Sequence, residues 1–169
     1  MNESEAIDQA ARAVTHREGK YLTFSLAGEE YGIGILKVKE IIGMMAITAV
    51  PQTPACVKGV VNLRGKVIPI VDLRLKFSLA AVAATERTCI IVVEVTGAAQ
   101  QSLIGILVDS VTEVLNIRGT DIEDVPDFGT QEDMSSILGM AKTGGTVKIL
   151  LDIDSVLTSR ELNVINQAA

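Results

Sequence analysis

The sequence predicts an all-β fold with minor helix, built as two five-stranded, mainly antiparallel barrels packed on each other, with a short helix near the C-terminus. Three observations carry this. Apolar and β-branched residues come in short alternating runs bounded by Gly, Asn and Asp, the pattern of strands and turns. Connections between the runs are short, and no segment suits the long helix of a parallel crossover, so the sheets must be antiparallel and close on themselves. A shift of 80 residues places Gly59 on Gly139, Gly65 on Gly145, Val67 on Val147, Asp72 on Asp152 and Leu73 on Ile153. Two unrelated hairpins can rhyme this way; two similar halves explain it equally, each too small to bury a core without the other.

In chain order, residues 1–19 are polar and mixed and read as a mobile tail. Leu22, Phe24 and Leu26 alternate with Tyr21, Thr23 and Ser25; a turn at Gly28-Glu29 follows, then Tyr31, Ile33 and Ile35 alternate, which makes a hairpin. Leu36-Lys-Val-Lys-Glu-Ile-Ile42 changes to helical spacing, with Val38, Ile41 and Ile42 on one side, and predicts a short helical turn. Thr53-Pro54 supplies a cap and first-turn proline for a single turn ending at Gly59. Two strands then flank Asn62-Leu-Arg-Gly65, and residues 74–87 form a connector without a clear pattern.

Residues 88–95 are apolar on both faces, as a strand covered on both sides requires. A loop at 96–100 leads to strands at 103–108 and 111–115, an acidic loop at 120–133, strands at 137–142 and 146–151, and a helix at about 153–158. The resulting division is a tail (1–19), one domain (20–160) with a first barrel near 20–86 and a second near 87–152, and a C-terminal helix and tail (153–169). Strand exchange between the barrels stays open.

Composition narrows the function. The net charge of -6, without a basic block or aromatic-basic alternation, argues against nucleic acid as a partner. Apolar runs such as Cys89-Ile-Ile-Val-Val93 fall far short of the roughly 20 residues that cross a bilayer. The N-terminus Met1-Asn-Glu-Ser-Glu5 is acidic, unlike a signal peptide, and the expectation is a cytoplasmic chain without membrane insertion. Cys56 and Cys89 are far apart and form neither a disulfide framework nor a thiolate zinc motif.

Catalytic chemistry finds little support. The single histidine, His16, lies in the tail, so no Cys-His or Ser-His pairing is indicated. Asp72 and Asp152 each precede a short helical segment and read as caps, with Asp154 sharing that role. Asp121, Glu123, Asp124 and Asp127 lack the glycine and distal glutamate of a calcium loop and read as a solvated acidic segment. The expectation is a non-enzyme without cofactor or metal.

What remains is a set of residues that turns and caps do not explain. Where the first half has Asn62-Leu63-Arg64-Gly65, the second has Lys142-Thr143-Gly144-Gly145, so the hairpin does not itself require a leucine and an arginine. A fainter echo, at a shift of 73, aligns Val38, Glu40 and Ile41 with Val111, Glu113 and Val114. Val38, Glu40, Leu63, Arg64, Val111 and Val114 suggest a protein-binding surface, since an apolar group beside an arginine suits an interface hot spot. The valines are equally compatible with a core, and the charges with an ordinary solvated surface.

Tyr21-Leu-Thr-Phe-Ser-Leu26, Glu30-Tyr-Gly-Ile33, Ile35-Leu-Lys-Val-Lys-Glu-Ile41, Pro54-Ala-Cys-Val-Lys-Gly-Val-Val-Asn-Leu-Arg-Gly65, Val67-Ile-Pro-Ile-Val-Asp-Leu-Arg74 and Gly105-Ile-Leu-Val-Asp-Ser-Val-Thr-Glu-Val-Leu115 together resemble the CheW family of bacterial chemotaxis coupling proteins. The likeness covers about residues 20–160. It implies two SH3-like barrels on a shared core and a free-standing, non-enzymatic adaptor. Its partners would be the cytoplasmic tip of methyl-accepting chemotaxis receptors and the regulatory domain of the histidine kinase CheA, in arrays at the inner face of the cytoplasmic membrane. By position the resemblance assigns Val38, Glu40, Val111 and Val114 to a groove that takes the receptor helix, with Arg64 near that groove or bonded to Glu40. Lys58 is its candidate for kinase contact. The competing expectation, from another class, is a small-ligand-binding or enzymatic protein that uses the cleft between the barrels.

Overall fold

The structure, a computed structural model, describes residues 17–96, 101–125 and 136–157. Its strands form two sheets, each curled into an SH3-like barrel. One barrel is continuous in sequence: β3 (Val38–Gly43), β4 (Val57–Leu63), β5 (Lys66–Asp72), β6 (Cys89–Thr96) and β7 (Gln101–Val108), in the order β3-β6-β7-β5-β4. The other is split around it. There β1 (Gly19–Leu26) and β2 (Glu29–Gly34) join β8 (Ser110–Ile117), β9 (Ile122–Glu123), β10 (Ile137–Thr143) and β11 (Thr146–Leu151), in the order β8-β1-β2-β11-β10-β9. Two short helices, α1 (Leu73–Lys76) and α2 (Ile153–Leu157), follow β5 and β11.

The 80-residue echo is a structural repeat. The β4-β5 pairing Val57↔Val71, Gly59↔Ile70 and Leu63↔Lys66 recurs in β10-β11 as Ile137↔Leu151, Gly139↔Leu150 and Thr143↔Thr146, with the same irregularity after the first pair. In each barrel the second strand of this hairpin meets the hairpin from the far half in parallel, Ile70 beside Gly105 and Leu150 beside Gly32. Both glycines are packing devices: a Cβ at Gly105 would stand 2.5 Å from Ile70 Cδ1, and one at Gly32 would stand 3.0 Å from Leu150 Cδ2. The halves are therefore alike, and they exchange their leading hairpins: β1-β2 completes the barrel of the second half and β6-β7 that of the first. Each sheet thus takes strands from both sides of the boundary expected near residue 86.

Exchange explains the core. Leu22, Phe24, Leu26 and Ile33 of the split barrel pack with Ile91, Val93, Ile104 and Ile106 of the continuous one, and α2 adds Ile153, Val156 and Leu157. Side chains of this kind each contribute about 1.5–3 kcal/mol when fully buried. The interiors proper are smaller: Tyr21, Ile117, Ile122, Ala141 and Leu150 in the split barrel, and Val61, Ile68, Ile70, Ile90 and Val92 in the continuous one.

Several local expectations need correction. The helical turn read over residues 36–42 is a one-turn 3₁₀ segment, Ile35–Lys37, followed by strand β3. The β-branched Val38, Ile41 and Ile42 pair with β6, and tertiary pairing outweighs their helical spacing. Thr53-Pro54 does not start a helix; it leads into a turn closed by Val57 N–H donating to the Pro54 carbonyl at 3.0 Å. The connector after residue 73 opens with α1, whose cap is Asp72, accepting from Arg74 N–H at 2.9 Å. Asp152 accepts from the Ser155 hydroxyl at 3.0 Å at the start of α2, whereas Asp154 is not a cap but an ion-pair partner of Lys37. Most of the expected tail, and Asp127 of the acidic segment, lie outside the described residues. The strand starts earlier than expected, at Gly19, and Arg17 and Glu18 are already anchored, to Asp124 and to Gly119 N–H.

Candidate functional site

The β4-β5 hairpin turns through Arg64 and Gly65, with φ of 50° and 86°, the doubly positive geometry of a type I′ turn. Asn62 fixes it by accepting from Gly65 N–H at 2.9 Å. Glycine and asparagine adopt such angles readily, and the equivalent hairpin uses Gly144 and Gly145 at 57° and 79°. Arg64 therefore holds a left-handed conformation that a Cβ disfavours. Leu63 belongs to the strand and packs, partly buried, against the continuous barrel's interior. Of the middle pair, only the arginine is displayed.

Its guanidinium reaches Glu40 on β3 with both terminal nitrogens, Nη1 to Oε2 at 3.3 Å and Nη2 to Oε1 in closer contact. Glu40 and Arg64 lie at opposite ends of the sheet order, so the pair crosses the seam along which the barrel closes. The Arg64 side chain is 71% exposed and Glu40 30%, an ion pair that solvent can enter. The hydrogen bonds that Arg64 donates to the Glu40 carboxylate, with its negative charge, raise the pKa of the guanidinium.

The valines take their direction from two matched bulges. Val38 and Glu40 stand opposite Val93 and Val92, with Lys39 extra; Val111 and Glu113 stand opposite Phe24 and Thr23, with Thr112 extra. Residues directly opposite in a sheet share a face, so each bulge puts its two apolar residues, Val38 with Ile41 and Val111 with Val114, on the side of the shared core. Without the bulge an i, i+3 pair on a strand would point to opposite faces. Val38 and Val111 are half-buried against that core, while Ile41 and Val114 emerge from it, 46% and 50% exposed. Glu40, facing Val92, leans instead toward its own barrel's mouth.

The structure thus brings Glu40 and Arg64 into contact, and sets Val38 and the Val111/Val114 pair on the equivalent edge strands β3 and β8. Lys58 is exposed on β4. Ile41, which the 73-residue echo aligned with Val114 but the sequence reading left out of the candidates, is exposed on the same side as Val38. Beside Val111 an open depression of about 530 Å³ runs between the barrels, lined by Ser25, Glu30, Arg87, Cys89, Ser110 and Thr112. Burial raises the Cys89 thiol, which disfavours its nucleophilic thiolate form. Two residues of the acidic segment are held in ion pairs, Glu123 with Lys142 at 2.5 Å and Asp124 with Arg17 at 2.7 Å.

Residues 20–161 match the family model described as CheW-like domain. The chain is 39% identical over 150 residues to a chemotaxis protein CheW of Klebsiella aerogenes, covering 89% of this chain and 88% of that protein. It is 34% identical to a chemotaxis protein CheW of Rhizobium meliloti, covering 90% and 96%. Among solved structures, the scaffolding protein TtCheW of Thermoanaerobacter tengcongensis superposes with a TM-score of 0.74 at 34% identity, covering 85% of this chain and 95% of that one.

Proposed function

The chain belongs to the CheW-like family of chemotaxis proteins, and from that premise we propose that it is a non-enzymatic adaptor coupling methyl-accepting chemotaxis receptors to the histidine kinase CheA. The observation that carries this reading is Arg64. It keeps a backbone conformation that its counterpart assigns to glycine, and the one gain visible in the structure is an exposed contact with Glu40. Residues held in left-handed backbone cluster at functional sites.

The receptor would contribute an amphipathic helix, whose apolar side suits Val38, Ile41, Val111 and Val114 on the two edge strands. Glu40 and Arg64 would meet the polar margin of that helix and fix its register, as rim charges do at protein interfaces. Lys58, on the outer strand β4, would face the kinase regulatory domain. Among the described residues no helix is long and apolar enough to cross a membrane, and the proposed location is the cytoplasm, beneath the receptors.

Reconstitution tests the reading. The purified chain should increase receptor control of CheA activity, and should capture a receptor cytoplasmic fragment and the kinase regulatory domain in separate pull-downs. A chain that binds neither would overturn it.

A further inference from the structure

The chain crosses from one barrel to the other twice among the described residues, and at both crossings a carboxylate ties three elements together. After β7, Asp109 binds Arg74 of α1 through Nε at 2.7 Å and Nη2 at 2.6 Å, and accepts from Ala27 N–H in the β1-β2 turn at 2.9 Å. After β2, Lys37 binds Asp154 of α2 at 2.6 Å, and the same carboxylate accepts from Thr96 N–H at the end of β6 at 2.9 Å.

The two arrangements match at their helix and hairpin ends, while their crossover residues sit one position apart, Lys37 in the register of Ser110 and Asp109 in that of Leu36. Arg74 and Asp154 are each two residues past the matched caps Asp72 and Asp152. Ala27 and Thr96 each follow the matched pairs Leu26↔Glu29 and Val95↔Ser102 by one residue. At the helix position the charge is reversed, an arginine in one case and an aspartate in the other. Each device joins the helix of one barrel to a hairpin end of the other by way of the crossover. They differ in grip: a guanidinium fork with side chains 15% and 26% exposed, against a single ammonium with side chains 35% and 28% exposed. A planar fork loses less freedom per bond than a lysine, so the second is the looser of the two.

We propose that Lys37 and Asp154, with Thr96 N–H, form a latch that sets how the two barrels face each other, and are positioning residues for the surface between them. Arg74, Asp109 and Ala27 form its tighter counterpart. The latch also anchors the crossover that carries Leu36, 92% exposed, and Val38 next to it. Its effect on a partner rests on the adaptor reading; its effect on barrel orientation does not.

Residual dipolar couplings of the full chain measure that orientation directly. In the wild type one alignment should fit both sheets. In Asp154→Ala, and more mildly in Lys37→Met, each sheet should still fit by itself while their relative orientation changes. The double variant Lys37→Asp/Asp154→Arg, which copies the charge order of the other crossing, should restore it. Unchanged orientation in both single variants, loss of order within the split barrel, or failure of the swap to restore orientation overturns the latch. Binding of a receptor cytoplasmic fragment, followed by calorimetry, should weaken about tenfold in Asp154→Ala and recover in the swap. Reoriented barrels with unchanged affinity overturn the positioning role. A wild type that does not bind the fragment overturns the adaptor reading instead, while the couplings still decide the latch.

Discussion

At the scale of single residues, the structure separates two side chains that are neighbours in sequence. Leu63 completes a strand and Arg64 opens a turn, and only a knowledge of φ distinguishes them. The comparison with Gly144 made Arg64 legible in sequence as unnecessary to the hairpin; its strain was not legible, because turn type depends on which residues pair. Arg64→Gly should leave the melting temperature unchanged or raised, since it relieves a positive φ, whereas Arg64→Glu should keep its circular dichroism spectrum. Both should weaken binding of a receptor fragment, on the order of tenfold or more, in calorimetry. Lys148 makes a second case. Its side chain is 8% exposed, paired with Glu30 at 2.8 Å and bonded to Thr143 and Thr146, while its repeat equivalent is the apolar Ile68. Glu30→Ala should cost about 1–3 kcal/mol by leaving a buried ammonium without its counter-charge and with only its threonine bonds, and Lys148→Met less, because an apolar side chain already serves in the other barrel. Urea denaturation of the two variants measures the difference.

Among elements, the strands and the helix at the C-terminal end were readable, and the segments at residues 36–42 and 53–59 were not. Alternation placed β1, β2, β4, β5, β10 and β11 within a few residues, because successive side chains point to opposite faces and a slip of one residue would exchange them. The segment at residues 36–42 misled because a bulge at Lys39 shifts the phase of β3, so that Val38 and Ile41 share a face as they would on a helix. The same shift in β8 puts Val111 and Val114 on one face, which the 73-residue echo had paired without showing why. Contacts between elements also predict a pH response. The hydrogen bond from Arg74 holds the Asp109 carboxyl below its ordinary value of 3.8, with Ala27 N–H helping. Below that ordinary value the unfolded chain binds the proton more readily than the folded one, so stability rises with pH through this window. The contribution is complete above about pH 4 and is lost as pH falls through the depressed value. Asp109→Asn should flatten this slope and lower stability at neutral pH, as denaturant titrations at a series of pH values would record.

For the whole molecule, composition and repeat pointed to two barrels on a common core, and the exchange of hairpins between them could not be read, since equivalent hairpins carry equivalent patterns and either partner satisfies them. The core common to both barrels implies a single cooperative unit. Residues 38–108 contain every strand of the continuous barrel, yet expressed alone they should fail to give a sharp thermal transition in calorimetry, because Ile91, Val93, Ile104 and Ile106 would face water. The intact chain should melt in one step. The nesting also acts during synthesis. A ribosome releases all strands of the continuous barrel by residue 108, while the β1-β2 hairpin, made first, must wait for β8 and β11 to emerge before its two edges are filled. The first hairpin translated is thus among the last to be sheathed, and a nascent chain stalled before residue 151 leaves the outer edge of β2 bare even when β8 already covers β1.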